Sequence, residues 1–148
     1  MNQNSYYQIN MKLLFVCKWN AGRSQMAEEL FNKYSNDHQA ISAGTHVNKF
    51  QFQGNKLKDF AHHVVTVLKE KGIDASEKTQ TQLTATLADS ADKIIFLTDK
   101  KDLPKYLINS KKVTYWKIED GDGKDYEFHI NMRNQIDKLV KELVSQIG

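Results

Sequence analysis

Apolar and polar residues follow one another along the chain in blocks whose spacing predicts strands and helices in turn. Compact apolar runs, the later ones rich in β-branched and aromatic residues, predict strands at residues 12–16, 40–43, 93–98 and 112–118. Apolar residues at three- and four-residue spacing predict amphipathic helices over residues 24–34, 57–71 and 126–147. Strand and helix alternate throughout, which predicts an α/β fold with a parallel sheet covered by helices on both faces.

Two details of the helices can be predicted from the same pattern. In the first helix Met26, Leu30 and Phe31 are expected to face the core, with Glu28 and Glu29 on the opposite, polar side. The second helix is expected to end at Gly72, because glycine is favoured just after a helix C-terminus. Parallel sheets bind ligands at the carboxyl ends of their strands, so the segments after the strands are the places to look for chemistry.

Composition narrows the class of protein. A chain of 148 residues with 40% hydrophobic and 26% charged residues predicts one globular domain. Its one cysteine cannot form an internal disulfide, and no secretory leader is recognisable, so we expect a reducing, cytoplasmic location. The apolar runs are far shorter than the roughly 20 residues that span a bilayer, so we expect no membrane partner. The net charge of +3 is dispersed, so we expect no nucleic acid partner.

The segment from Cys17 to Ser24, called the oxyanion loop below, carries the clearest chemical signal. A cysteine ends the first predicted strand, and Arg23 follows after five residues, at the start of a helix. A loop that leads into a helix N-terminus directs backbone N–H groups at a tetrahedral anion, and the same field stabilises a thiolate. We therefore expect Cys17 to be a nucleophile with a pKa below the free value of about 8.5.

The other loop residues are expected to bind and shape a phosphoryl group. Arg23 offers a planar, permanently charged fork for two equatorial oxygens, and Ser24 is placed to donate to the Cys17 sulfur. Trp19 is expected to stack on an aryl group, to narrow the entrance or to pack on a neighbouring loop, and Lys18 to favour an acidic substrate. The predicted phosphate-binding residues are Lys18, Trp19, Asn20, Ala21, Gly22, Arg23 and Ser24.

A general acid is needed to protonate a leaving oxygen, and Asp120 is the best candidate. It follows the fourth predicted strand, so it should emerge at the same sheet edge as Cys17. Glu119 and Asp122 are near enough in sequence to compete for the role. The alternative is an acidic turn that caps the last helix. The pattern from Asp120 to Lys124 does not match a calcium loop, and we expect no metal and no cofactor.

With these motifs, the sequence resembles the low-molecular-weight protein tyrosine phosphatase family, which includes the thioredoxin-linked arsenate reductases. The resemblance runs from Lys12 to about Ile147 and is carried by residues 16–28, 42–45, 71–74 and 88–98. It implies a four-stranded parallel sheet flanked by helices in a three-layer sandwich, and a phosphocysteine intermediate. It also implies that Asn20, Ser24 and Ser42 form a hydrogen-bond network that shapes the loop. Residues 1–10 are interpreted as a disordered extension preceding a single domain over 11–148.

Two departures from the family bear on function. Gly121 stands where the family carries a proline after the acid, which predicts a looser position for Asp120. The segment 97–104 lacks the two cysteines that relay a disulfide in the thioredoxin-linked reductases. We therefore predict a phosphomonoester hydrolase acting on phosphotyrosine protein or a small phosphomonoester, with phosphate, sulfate or arsenate as ligands. The alternatives are an arsenate reductase that uses an external thiol such as glutathione or mycothiol, and a non-catalytic oxyanion-binding module.

Overall fold

The computed structural model describes residues 10–50 and 54–148, apart from the side chain of Phe50. The predicted N-terminal extension therefore lies almost wholly outside the described residues. Within them, four parallel strands form one sheet, as predicted, and their order is β2-β1-β3-β4. The strands are β1 (Lys12–Cys17), β2 (Gln39–Gly44), β3 (Lys93–Phe96) and β4 (Val113–Tyr115).

Helices cover both faces of this sheet. The α-helices of the described chain are α1 (Arg23–Tyr34), α2 (Leu57–Phe60), α3 (His62–Lys69), α4 (Ala85–Ser90) and α5 (Tyr126–Ile147). The pleat of β1 directs Leu13 and Phe15 to a core shared with α1, α3 and α5, while Leu14 and Val16 meet a smaller core under α4. All four of these side chains are completely buried, which contributes roughly 1.5–3 kcal/mol each. No helix in the described part is long and apolar enough to cross a bilayer.

The strand register aligns the carboxyl ends of the sheet. Cys17 pairs with Gly44, Val16 with Phe96 and Phe96 with Tyr115. The segments that follow β1, β2, β3 and β4 consequently emerge at one edge, where parallel sheets place their ligands. The fourth strand is shorter than predicted: after Trp116 N donates to Phe96 O at 3.0 Å, the chain leaves the sheet toward this edge.

Two other predictions about the elements are wrong, and one helix was not predicted. The helix predicted over 57–71 is split at Ala61, whose backbone (φ −105°, ψ 57°) leaves the helical region, and Phe60 is 44% exposed. Helix α4 lies in a stretch for which no helix was predicted, and the Thr84 side chain caps it by accepting from Leu87 N. Glu28 is 7% exposed, on the buried side of α1, because its carboxylate has polar partners there.

Candidate active site

The oxyanion loop leaves β1 at Cys17 and enters α1 at Arg23. Asn20 sits within it at φ 54°, a left-handed conformation that asparagine tolerates better than most residues. The segment after β2 supports the loop: Thr45 N donates to Cys17 O at 3.0 Å and His46 N donates to Lys18 O at 2.9 Å. These two backbone hydrogen bonds fix the loop to the segment after β2, independently of the side-chain contacts.

Side-chain hydrogen bonds join the predicted network residues. The Asn20 amide donates to Ser24 Oγ at 2.8 Å and to Ser42 Oγ at 2.9 Å. Ser24 Oγ lies 3.0 Å from Cys17 Sγ. Since Ser24 Oγ already accepts from Asn20, its own hydrogen is available for the sulfur. A hydroxyl that donates to a sulfur favours the thiolate over the thiol.

The network continues to Glu28, which sequence reasoning placed on the polar side of α1. Ser42 Oγ donates to Glu28 Oε1 at 2.7 Å, and Lys78 Nζ pairs with the other carboxylate oxygen. Burial opposes the charge on Lys78, but the hydrogen bond and attraction from Glu28, together with Glu29, outweigh it and raise the pKa of Lys78. In the sequence, one feature indicates this role of Glu28. It follows Ser24 by one helical turn, so the two side chains lie on the same face of α1.

Two buried glutamines and one backbone amide hold the loop from behind. Gln25 Nε2 contacts both Asn20 O and Asn20 Oδ1 at 3.2 Å, and Gln80 Nε2 donates to Trp19 O at 2.8 Å. Thr81 N donates to Asn20 Oδ1 at 2.8 Å. The contacts from Gln80 and Thr81 each span 61 positions of sequence, so periodicity and motif spacing could not reveal them.

Arg23 is held across the end of the sheet. It is 6% exposed, and its Nη1 donates to Leu97 O at 2.9 Å and to Ile118 O at 3.2 Å. Those carbonyls belong to the segments that follow β3 and β4. The guanidinium therefore lies at the carboxyl edge with its orientation set by the backbone, which suits bidentate contact with an anion.

Asp120 is the acidic residue that the structure places beside Arg23. Its Oδ2 lies 3.8 Å from Arg23 Nη2, and its side chain is 45% exposed. Glu119 instead pairs with Lys124 at 3.6 Å, and Asp122 is exposed. The cap of α5 is Asp125, which accepts from Phe128 N at 2.9 Å, so Asp120 is not the residue that caps this helix.

The remaining loop residues form the rim of the site. Lys18, Trp19, Ala21 and Gly22 are half-buried, and Lys18 Nζ lies 5.0 Å from the centre of the Trp19 ring. The edge of Trp19 packs on His46, with ring centroids 5.9 Å apart. Of the expectations for Trp19, packing on a neighbouring loop is the one the structure shows. Burial lowers the pKa of His46, and the positive charges of Lys18 and Lys49 act in the same direction, while Asp102 opposes them. The imidazole is therefore neutral at pH 7.

Gly44 provides the room in which the loop turns. A Cβ at this position would lie 2.8 Å from Asn20 N and 2.9 Å from Lys18 O, both backbone atoms. At Gly22 the nearest atom to such a Cβ would be Val64 Cγ2 at 3.7 Å, an ordinary contact. Packing against the protein thus demands a glycine at the end of β2, whereas it does not explain the glycine inside the oxyanion loop.

We expect Gly44→Ala to lower the free energy of unfolding by about 1–3 kcal/mol, the usual cost of overpacking. The added methyl meets backbone that hydrogen bonds hold in place, so the loop must shift. Chemical denaturation measures the change. Gly22→Ala is the matched control, with a change within about 1 kcal/mol, and equal losses in the two variants would contradict the packing argument.

The site can bind a tetrahedral oxyanion between a helix N-terminus and an arginine, with a thiol and a carboxyl group nearby. Among residues 10–50 and 54–148, no cluster of three or more His, Cys, Asp or Glu side chains is arranged to hold a metal ion.

Comparison with known proteins agrees with a site for a tetrahedral oxyanion. The family model described as low molecular weight phosphotyrosine protein phosphatase matches residues 12–148.

Individual relatives carry different names. A curated Synechocystis protein, named glutaredoxin arsenate reductase, is 30% identical over 139 residues, covering 93% of this chain and 98% of its own length. The solved low molecular weight protein tyrosine phosphatase from T. tengcongensis is 26% identical with a TM-score of 0.79, covering 93% of this chain and 99% of its own. The YwlE arginine phosphatase from Geobacillus stearothermophilus is also 26% identical, with a TM-score of 0.75 and coverage of 93% and 92%.

Proposed function

Because the chain belongs to the low molecular weight phosphotyrosine protein phosphatase family, we propose that it hydrolyses phosphomonoesters, phosphotyrosine among them, through a phosphocysteine intermediate. The nucleophile is Cys17, the transition-state clamp is Arg23 with the oxyanion-loop amides, and the general acid is Asp120. Each of these groups lies at the carboxyl edge of the sheet. The activity requires no group beyond the chain and water.

The reaction proceeds in two displacements. In the first, the Cys17 sulfur attacks phosphorus, the bond to the ester oxygen breaks, and Asp120 gives its proton to that oxygen. In the second, a water molecule attacks phosphorus, Asp120 takes a proton from the water, and the sulfur–phosphorus bond breaks. The Ser24 hydroxyl, 3.0 Å from the sulfur, stabilises the departing thiolate in the second step.

One observation carries the proposal: Arg23 joins the two halves of the site. It begins the helix that follows the oxyanion loop, bonds the carbonyl of Ile118, and lies 3.8 Å from the carboxylate of Asp120. The charge that develops on the equatorial oxygens during transfer would therefore meet a guanidinium whose position is already set. The short distance to Asp120 also argues against a module that only binds phosphate, since such a module needs no acid.

The direct test is steady-state hydrolysis of p-nitrophenyl phosphate, phosphotyrosine peptide and phosphoarginine peptide, with inorganic phosphate as competitor. We expect turnover of the aryl ester and competitive inhibition by phosphate. Preference between the two peptides would show whether the site favours a phenol or a guanidine leaving group. Binding of phosphate without turnover of any substrate would refute the proposed hydrolase activity and favour the non-catalytic oxyanion-binding module.

We expect Asp120→Asn to lower kcat/KM for phenyl phosphate by about 10²-fold, the lower end for loss of a general acid. Phenolate is a poor leaving group and needs the proton, whereas dinitrophenolate leaves without one. The same variant should therefore change kcat/KM for 2,4-dinitrophenyl phosphate by less than about threefold. Glu119→Gln and Asp122→Asn are matched controls on neighbouring carboxylates. A larger effect in either of them than in Asp120→Asn would move the acid to that residue.

A second activity, arsenate reduction, is favoured by the name of the Synechocystis relative, which is 30% identical to this chain. Arsenate would esterify Cys17, and an external thiol would attack the Cys17 sulfur to release arsenite and leave a mixed disulfide. Another thiol would then restore Cys17, so two thiols supply the two electrons. The external source is required because Cys17 is the chain's single cysteine.

Arsenate consumption in the presence of glutathione or mycothiol, with and without glutaredoxin, tests this second activity. Reduction without phosphatase turnover would make the reductase the principal function. Reduction that persists in Cys17→Ser would exclude the route through this sulfur.

A further inference from the structure

Gly121, directly after Asp120, is buried against helix α5. A Cβ at this position would lie 2.5 Å from Met132 Cε and 2.8 Å from His129 Nε2, closer than real side chains approach. The methionine methyl is the end of a flexible chain and can move, so the imidazole is the firmer of the two neighbours. The glycine that was expected to loosen this segment is therefore the residue that lets it approach α5.

The imidazole of His129 is held in one orientation. It is 7% exposed, and its Nδ1 lies 2.7 Å from Asp125 O. A carbonyl oxygen only accepts hydrogen bonds, so Nδ1 carries the proton, and the opposite edge of the ring, Nε2, faces Gly121. His63 packs beside the ring with centroids 5.0 Å apart. The ring is therefore held by Asp125 and flanked by His63 where the turn after Asp120 rests on it.

The rest of the 119–124 loop is consistent with a turn that is seated at this point. Lys124 N donates to Gly121 O at 3.0 Å, and Asp122 N donates to Asp120 Oδ1 at 3.1 Å. On the other side, Arg23 Nη1 bonds the carbonyl of Ile118 at 3.2 Å. The carboxylate of Asp120 thus lies between an anchor at Ile118 and a support at Gly121.

We infer that His129 is a positioning residue for the reaction: it supports Gly121 and thereby keeps the carboxyl group of Asp120 at the site. In this chain, packing on an imidazole does what a proline would do by restricting the backbone. The inference rests on the proposed function, because it concerns the residue assigned there as the acid. His129 itself touches neither substrate nor the reacting atoms.

The first test is Gly121→Ala, a steric probe. Gly121 is not among the glycines with positive φ, so an alanine meets crowding and no backbone strain. We expect kcat/KM for phenyl phosphate to fall by about tenfold, against less than about threefold for 2,4-dinitrophenyl phosphate, because the acid is displaced while the oxyanion loop is intact. Equal falls for the two esters would indicate general damage to the site and overturn the inference.

The second test removes the support. His129→Asn keeps a side-chain amide able to donate to Asp125 O, so the helix start is preserved, but its shorter side chain vacates the space at Gly121. We expect the same selective loss on phenyl phosphate. In the double variant Gly121→Ala with His129→Asn, the methyl occupies the vacated space, so the loss should be smaller than the product of the single losses. Independent, multiplicative losses would overturn the inference.

His38→Asn is the matched control. His38 is 4% exposed, its Nδ1 accepts from Met11 N at 3.0 Å, and it precedes β2 at the opposite edge of the sheet. Its substitution should lower the melting temperature without changing the ratio of the two kcat/KM values. If Asp120→Asn changes this ratio and the His129 and Gly121 variants do not, the positioning role of His129 is refuted while the assignment of Asp120 as the acid stands. If Asp120→Asn leaves the ratio unchanged, the assignment of the acid fails.

Discussion

Replacing Cys17 with serine is expected to lower kcat/KM for p-nitrophenyl phosphate by about 10⁴- to 10⁶-fold, as for removal of a nucleophile in other enzymes. A serine hydroxyl stays protonated at neutral pH, and the neighbouring group in the structure, the Ser24 hydroxyl, is not a base that could activate it. Oxygen can still pair with Ser24 Oγ, which lies 3.0 Å from the native sulfur, so the loop should keep its shape. The variant thus removes the attacking atom with little other change.

Phosphate binding is the control for this variant. Titration calorimetry with inorganic phosphate should give a dissociation constant within about tenfold of wild type, since Arg23 and the loop amides are unchanged. The melting temperature should be similar, because a buried thiol and hydroxyl differ little in size. If Cys17→Ser retained most of the hydrolytic rate, another residue would be the nucleophile. Loss of both phosphate binding and folding would mean that the loop depends on the sulfur.

Replacing Arg23 with lysine is expected to lower kcat/KM by about 10³-fold, the lower end for a transition-state arginine. The charge is kept, but an ammonium cannot bond Leu97 O and Ile118 O while presenting two parallel donors to the phosphoryl oxygens. Hydrolysis of phenyl phosphate and of 2,4-dinitrophenyl phosphate should both slow, in contrast to the Asp120 variant. The reason is that the Arg23 clamp acts on the transferred phosphoryl group, whichever oxygen leaves. The inhibition constant of phosphate should also rise.

Arg133→Lys is a closely matched control for Arg23→Lys. Arg133 lies in α5, where its Nη1 donates to Val67 O at 3.0 Å and pairs with Glu70 at 2.6 Å. Like Arg23, it is a mostly buried guanidinium that joins a backbone carbonyl and a carboxylate. Its substitution should affect the melting temperature and leave kcat/KM within about twofold of wild type. Similar kinetic losses at both positions would reduce Arg23 to a structural role.

Much of this molecule could be predicted from local sequence. Helix α5 occupies the predicted residues 126–147, because a long 3.6-residue repeat has no competing interpretation. The contacts of Asn20 with Ser24 and Ser42 agree with those implied by the family resemblance. Asp120 could be placed at the correct edge because parallel strands share their carboxyl ends.

What could not be predicted depends on contacts between distant segments. Glu28 is acidic and helical, and the Ser42 hydroxyl and Lys78 ammonium, both outside its helix, make its burial favourable. The helix predicted over 57–71 is split at Ala61 although alanine is a good helix former, and the short helix α2 is tied by Leu57 N and Lys58 N to Lys78 O and Ser76 O of a later loop. The support of Gly121 by His129 is visible only once α5 has packed on the sheet.

The contacts of Asn20 also bear on how the protein folds. Its side chain meets Ser42 on β2 and Thr81 N, so the loop that begins at Cys17 is completed by residues up to 61 positions later in the chain. Such contacts form only after the intervening loops have closed, which makes the oxyanion loop a region of high contact order. Opening it requires separating strands β1 and β2 from the segment before α4. The loop should therefore share the cooperative unfolding of the sheet instead of fraying ahead of it.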